Sequence, residues 1–323
     1  MKPADGEKFR SPATAPRRAG RNRTLALSDD ARAELEKTLL RPDAKLSASE
    51  AEDRLICGDV MRVAPLLPEK FADLLILDPP YNLDKAFNGR KFARLGDDAY
   101  LKYLESWLTL LIPALKPDAS VYLCGDWRDT AACFTALSRH FKVRNRIVWQ
   151  REKGRGAGRN WKNCAEDIWF ATVSDDYHFD VAKVKQLRRV LAPYRENGRP
   201  KDWNETADGN FRLTCPSNFW DDLTVPFWSM PENTDHPTQK PEKLVAKLIL
   251  ASSPPGGLVL DPFMGSGTTP AVARKLGRRF CGIEIDRTYC CYAAERLRRA
   301  AADPSIQGYR DGVFLERNCR LKG

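Results

Sequence analysis

Leu258-Val259-Leu260-Asp261-Pro262-Phe263-Met264-Gly265-Ser266-Gly267-Thr268-Thr269 joins a short apolar run to a loop with two glycines and then to a polar start. Thr268 to Leu276 carries a helical pattern, so the whole stretch reads as strand, glycine turn and helix. Gly265 and Gly267 let the backbone approach a ligand closely, while helix-start N–H groups and the Ser266, Thr268 and Thr269 hydroxyls can donate to an anion. Arg279 to Ile285 reads as the next strand, and Glu284 near its end is an acid able to accept both hydroxyls of a ribose. Thr288 to Ala301 reads as a closing amphipathic helix. A dinucleotide site is the rival reading, but Pro270 stands where its third glycine belongs.

Upstream lies a helix over Leu244 to Ala251, preceded by His236-Pro237-Thr238-Gln239-Lys240-Pro241. Much earlier, Arg54-Leu55-Ile56-Cys57 runs into Gly58-Asp59, and Ala72-Asp73-Leu74-Leu75-Ile76-Leu77 stops at Asp78-Pro79-Pro80-Tyr81. Both runs read as buried parallel strands. Leu104, Leu108, Leu111 and Leu115 recur at helical spacing over Tyr100 to Leu115, and Pro117 is expected to close that helix before a strand over Ser120 to Cys124. Arg146 to Gln150 and Asp167 to Thr172 read as further strands. The alternation predicts an α/β fold, a mostly parallel sheet with helices on both faces. Such sheets place ligands at the carboxyl ends of their strands, where both the proline tetrapeptide and the glycine turn fall.

In residues and in order, the early Asp78-Pro79-Pro80-Tyr81 and the late glycine loop resemble the β-class S-adenosylmethionine-dependent DNA amino-methyltransferases of the N-4/N-6 DNA methylase family. In that circularly permuted, Rossmann-like family the catalytic half precedes the cofactor half. The resemblance implies S-adenosyl-L-methionine as cofactor, surrounded by Asp59, Thr238, Gln239, Lys240, Asp261, Phe263, Gly265, Ser266, Gly267, Thr268, Thr269 and Glu284. Asp59 would reach its adenine, Glu284 its ribose, and the glycine loop with Lys240 its carboxylate. The catalytic set would be Asp78, Pro79, Pro80 and Tyr81, and the reaction site-specific methyl transfer to N6 of an adenine flipped out of the duplex.

Physical chemistry supports that assignment. An adenine amino group is a poor nucleophile because its lone pair is delocalised into the ring, so a site must hold both amino hydrogens. Asp78 supplies one acceptor and the Pro79 carbonyl another, while the two prolines fix φ and remove competing N–H donors. Tyr81 offers a face for stacking. In the resembled family an acidic first residue in the tetrapeptide goes mainly with adenine N6 and Ser with cytosine N4, so the resemblance implies adenine for Asp78; cytosine N4 is the alternative on the same scaffold. Cys215 precedes Pro216, the reverse of the Pro-Cys nucleophile pair of cytosine C5 methylation, so no covalent step is expected.

The chain has 323 residues and a formal net charge of +10, which favours a polyanionic partner. Nine cysteines without a Cys-x-x-Cys pair, and no apolar run long enough to span a bilayer, indicate reduced thiols, no metal site and no membrane partner. A cytoplasmic, nucleoid-associated protein is expected. The expected division is a basic, largely disordered arm over residues 1–50, a catalytic half over 51–183, a target-recognition insert over 184–235, a cofactor half over 236–302 and a tail over 303–323. Lys153, Arg155 and Arg159 in a glycine-arginine stretch, with Arg188, Arg189, Arg195 and Arg199 in the insert, are the expected DNA contacts. Trp203, Phe211, Phe219, Trp220, Phe227 and Trp228 read as the core of that insert. The partners implied are double-stranded DNA, a second copy of the chain and a cognate restriction endonuclease. The rival classes are RNA or protein-glutamine methyltransferases, and a nucleic-acid-binding protein with a vestigial site.

Overall fold

Side chains of the strand Ala72–Leu77 alternate between two cores: Leu74 and Ile76 join one buried cluster, Leu75 and Leu77 the other. Tyr122 and Cys124 divide in the same way from Val121 and Leu123, and Val259 from Leu258 and Leu260. Strands buried on both faces belong to a sheet covered by helices on each side. The computed structural model describes residues 20–87, 90–151, 158–190, 194–206 and 209–317.

The described elements begin with α1 (Asp29–Glu36), α2 (Ala48–Ala51), β1 (Arg54–Cys57), α3 (Val60–Val63), β2 (Ala72–Leu77) and the hairpin β3 (Lys85–Phe87) and β4 (Arg90–Phe92). Then come α4 (Asp97–Leu111), β5 (Leu115–Gly125), α5 (Thr130–Ser138), β6 (Lys142–Gln150), β7 (Ala165–Thr172) and β8 (Gln186–Arg189). A second hairpin, β9 (Arg195–Glu196) and β10 (Arg199–Pro200), precedes β11 (Asn204–Thr206), β12 (Gly209–Thr214) and β13 (Phe219–Trp220). The chain closes with α6 (Glu242–Ser252), β14 (Leu258–Asp261), α7 (Thr268–Lys275), β15 (Arg279–Glu284), α8 (Arg287–Ala302), β16 (Tyr309–Arg310) and β17 (Val313–Leu315).

Eight strands form the central sheet in the order β1-β15-β14-β2-β5-β7-β6-β13. All neighbours are parallel except β7, which runs antiparallel to both β5 and β6. One core cluster holds side chains of α6, α7 and α8, and the other those of α4 and α5, so helices cover both faces as the alternation predicts. The two halves of the chain meet where β2 pairs with β14, Val259 opposite Leu74 and Leu260 opposite Leu75. Among the described residues no helix is long and apolar enough to cross a membrane.

Several details differ from the sequence reading. The helix expected to run to Leu115 ends at Leu111, because Pro113 has no N–H to continue the ladder; a 3-10 turn over Ile112–Ala114 follows. β5 therefore starts at Leu115, and Pro117 lies inside that strand instead of closing a helix. The helix α5 has no counterpart in the sequence reading. Its Thr-Ala-Ala-Cys-Phe-Thr-Ala-Leu-Ser sequence is small and apolar all round and shows no period to detect. Within residues 184–235 the described strands β8, β11 and β12 form an antiparallel sheet, completed by β17, which pairs in parallel with β8, and by β16. Trp203 and Phe211 are buried as expected, Trp220 is buried on β13 in the core of the central sheet and not in that of the insert, and Phe219, Phe227 and Trp228 are exposed. Within the arm expected to be largely disordered, residues from 20 onward include α1 capped by Ser28, and Arg23 N and Leu25 N donate to the Trp228 and Asn233 carbonyls.

Candidate active site

One edge of the central sheet gathers every chemically interesting strand end. β2 delivers Asp78-Pro79-Pro80-Tyr81, β14 the glycine loop, β15 Glu284, β1 Gly58-Asp59, β5 Asp126 and β6 Arg151. Because β7 runs the other way, its first residues, including Glu166, reach the same edge. These residues line one cavity of about 520 Å³, within the range of small-molecule sites.

Two positive φ values shape the glycine loop. Gly265 has φ 52° and a Cβ there would lie 2.9 Å from the His236 ring; Gly267 has φ 81° and a Cβ would lie 2.4 Å from the Ala293 methyl of α8. Close approach to a helix, not to a ligand, therefore explains Gly267. Glu284 braces the loop: its Oε2 accepts from Gly265 N at 3.1 Å and its Oε1 from Asp286 N at 2.7 Å. Burial pushes the Glu284 carboxyl up to about 7, with those N–H groups opposing the shift. Asp261 is pushed up to about 7 by burial too, against hydrogen bonds from Thr269 and from Phe263 N. Ser266 Oγ is buried beside the cavity and meets no hydrogen-bond partner among the described residues. Phe263 packs edge-on against Trp107, with centroids 4.9 Å apart.

Lys240 links the two motifs. Its Nζ donates to Asp78 Oδ1 at 2.7 Å and to Tyr81 OH at 3.0 Å and lies 3.5 Å from Glu166 Oε2, while its carbonyl accepts from Thr268 Oγ1 at 3.1 Å. Burial alone would lower the ammonium, but the Asp78 and Glu166 carboxylates outweigh it and raise its pKa. The ammonium sits 5.1 Å from the Tyr81 ring centroid, a distance that its hydrogen bond to the phenol oxygen accounts for. Tyr81 OH donates to Glu166 Oε2 at 3.0 Å, and burial followed by the Asp78 and Glu166 charges raises its pKa well above that of an ordinary phenol. Pro80's carbonyl accepts from Tyr100 OH at 3.2 Å, whereas the Pro79 carbonyl meets no donor among the described residues. Asn82 is buried and clamps Leu95, accepting from its N and donating to its carbonyl.

The other anticipated residues fall in or near this cavity with altered partners. Asp59 lines it and caps α3 by accepting from Met61 N. Thr238 and Gln239 line it too, but the Gln239 amide is engaged within its own segment, accepting from Thr234 and donating to the Glu232 carbonyl. Lys240, expected to face a cofactor carboxylate, faces Asp78 instead. Among the expected DNA contacts, Lys153 and Arg155 lie outside the described residues, and Arg159 is exposed just beyond them. Arg188 is held by Glu316 at 2.9 Å and Asp221 at 3.4 Å, and Arg189 N donates to the same Glu316. Arg195 lies over Trp203 and 3.5 Å from Glu205, and Arg199 is exposed in the β9–β10 hairpin. Glu166 and Arg151 were missed: an acid just before an apolar run reads as a solvated strand start.

Comparison with known proteins places this architecture. The fold matches the crystal structure of the M1.HpyAVI–SAM complex, with a TM-score of 0.52 at 24% identity over 75% of this chain and 98% of that one. It matches the PvuII cytosine-N4-specific DNA methyltransferase with a TM-score of 0.55 at 18% identity, over 77% and 90%. The likeness shows a Rossmann-like α/β fold of the kind these two methyltransferases have. Residues 72–295 match the DNA methylase family model. Relatives include the DNA adenine methyltransferase YhdJ of Escherichia coli (strain K12), 34% identical over 251 residues, 75% of this chain and 82% of that protein. The type II methyltransferase M.HpaI of Haemophilus parainfluenzae is 32% identical over 249 residues, 76% of this chain and 74% of that protein. The chain belongs to the DNA methylase family.

Proposed function

We propose that this protein is a site-specific DNA methyltransferase that moves a methyl group from S-adenosylmethionine to N6 of an adenine flipped out of duplex DNA. The observation that carries the reading is that Asp78 and the Gly265 turn, far apart in the chain, line one cavity. The residues fit the cofactor: the unpartnered Ser266 hydroxyl and the glycine loop suit its carboxylate, and Glu284 keeps lone pairs for ribose hydroxyls. Asp59 at the neighbouring strand end suits its adenine, and Phe263 and Met264 supply apolar wall. When bound, the cofactor supplies an electrophilic methyl group on a sulfonium.

The chain's own residues do the rest. Asp78 and the Pro79 carbonyl accept the two amino hydrogens and favour tetrahedral character at nitrogen, while Tyr81 stacks on the extruded base. Acceleration comes from positioning and from acceptors fixed before the substrate arrives. Extrusion costs a few kcal/mol, which stacking and phosphate contacts from Arg159, Arg189, Arg195 and Arg199 offset. Asp78 and the likeness to the E. coli DNA adenine methyltransferase favour adenine over cytosine N4. The type II relatives support a cognate restriction endonuclease as partner, and a homodimer and a cytoplasmic place on the nucleoid follow from the family reading. Nucleoside analysis of plasmid DNA after incubation with protein and S-adenosylmethionine tests the reaction: N6-methyldeoxyadenosine is expected, and N4-methyldeoxycytidine or no modified base overturns it.

A further inference from the structure

We infer that Glu166 is a positioning residue for methyl transfer: it anchors Lys240 and Tyr81 so that the ammonium fixes Asp78 and the reaction centre stays electroneutral. The inference rests on the reading of Asp78 as the acceptor of the target amine. Glu166 is buried at the start of β7, and both its oxygens are engaged. Oε2 accepts from Tyr81 OH at 3.0 Å and lies 3.5 Å from Lys240 Nζ, and Oε1 accepts from Arg151. Tyr81 OH in turn accepts from Lys240 at 3.0 Å, and Lys240 donates to Asp78 at 2.7 Å. Lys240, Tyr81 and Glu166 thus form a closed ring, with Asp78 attached through Lys240 and Arg151 through Glu166.

Two carboxylates, one ammonium and one guanidinium sum to zero. The target nitrogen gains positive charge as it takes the methyl group, so the net charge beside it bears directly on the barrier. Without the Glu166 charge, Lys240 and Arg151 would face Asp78 alone, leaving one surplus positive charge where a cation must develop. Lys240 would also lose the carboxylate that steadies it opposite Asp78, and Asp78 would turn more freely. A residue that merely filled space would have neither effect.

The test compares the wild-type chain with Glu166→Gln and with Glu166→Gln combined with Arg151→Gln, measuring kcat at saturating plasmid DNA and the calorimetric affinity for S-adenosylhomocysteine. Glu166→Gln is expected to lower kcat roughly tenfold to a hundredfold and to leave S-adenosylhomocysteine affinity within about twofold, that ligand having no sulfonium charge. Removing the Arg151 charge as well restores neutrality and is expected to recover about tenfold of the loss. Wild-type kcat in Glu166→Gln, no recovery in the double variant, or a parallel fall in S-adenosylhomocysteine affinity would each overturn the inference. Asp78→Asn, run alongside, separates the two levels: wild-type turnover there sinks the reading of the site itself, whereas an inactive Asp78→Asn beside an unimpaired Glu166→Gln sinks only the role of Glu166.

Discussion

An ammonium 2.7 Å from the Asp78 carboxylate determines what a substitution there does. Asp78→Ala strands Lys240 beside Glu166 alone, and breaking such a buried pair costs about 3–5 kcal/mol, which would blur any catalytic reading. Asp78→Asn keeps the shape while losing the charged acceptor. It is expected to remove turnover by at least about a thousandfold while S-adenosylhomocysteine binds within about threefold of wild type, as calorimetry can check. The cavity carboxyls also give a pH signature. Burial raises Glu284 and Asp261 to about 7, and desolvation with the nearby Glu242 charge raises the half-buried Glu232 to about 7 as well. Protons are then bound more tightly in the folded chain than in the unfolded one. Their contribution to stability is complete below ordinary carboxyl values and is lost as pH rises through about 7. Hydroxyl donors of a ribose favour the Glu284 carboxylate, so ligand affinity runs the opposite way. Between pH 8 and 6, the melting temperature of the free protein is expected to rise while S-adenosylhomocysteine affinity falls, and Glu284→Gln is expected to flatten the affinity profile. An affinity that is level across this range in the wild type contradicts the role given to Glu284.

Elements explain why some of this was legible in advance. β2 and β14 are apolar runs that end at an acid, and strands buried on both faces read from composition alone. The strands of the outer sheet do not: β8, β11 and β12 carry Arg, Asn and Glu on exposed faces, and β8 pairs with β17 more than a hundred residues away. No local pattern encodes such a partner. Lys243 of α6 ties that sheet to the body by donating to the Leu315 carbonyl of β17, and it is held there by Asp222, just after β13, which receives Lys243 and Lys247 each at 2.6 Å, all three side chains being buried. Asp222→Ala leaves two ammonium groups without their carboxylate and is expected to cost about 3–5 kcal/mol, measured by denaturant unfolding. The glycine loop makes a sharper distinction. Sequence logic expects Gly267→Val to block a cofactor, but the new side chain would meet Ala293 at a left-handed φ. A loss of about 3 kcal/mol in fold stability is therefore expected, from the strained backbone and from overpacking against α8. Unchanged unfolding with lost cofactor binding would restore the simpler view.

At the scale of the whole molecule, a net charge of +10 predicts DNA binding that weakens with salt, by a slope of about −0.9 in log–log terms for each phosphate neutralised. Not every arginine contributes. Arg188 is committed to Glu316 and Asp221, whereas Arg199 is exposed and has no ion-pair partner among the described residues. Arg199→Ala is expected to reduce the slope by about 1, and Arg188→Ala to leave it unchanged while loosening the contact with Glu316. Fluorescence anisotropy across a salt series reads both. The larger claim is that a donor site made by the second half of the chain faces an acceptor site made by the first. Single-molecule sequencing of plasmid DNA incubated with S-adenosylmethionine and either the wild type or Asp78→Asn tests it most directly. The wild type is predicted to mark adenine N6 within one recurring sequence and the variant to mark nothing; adenine marks left by Asp78→Asn, or marks on cytosine N4 by the wild type, would contradict it.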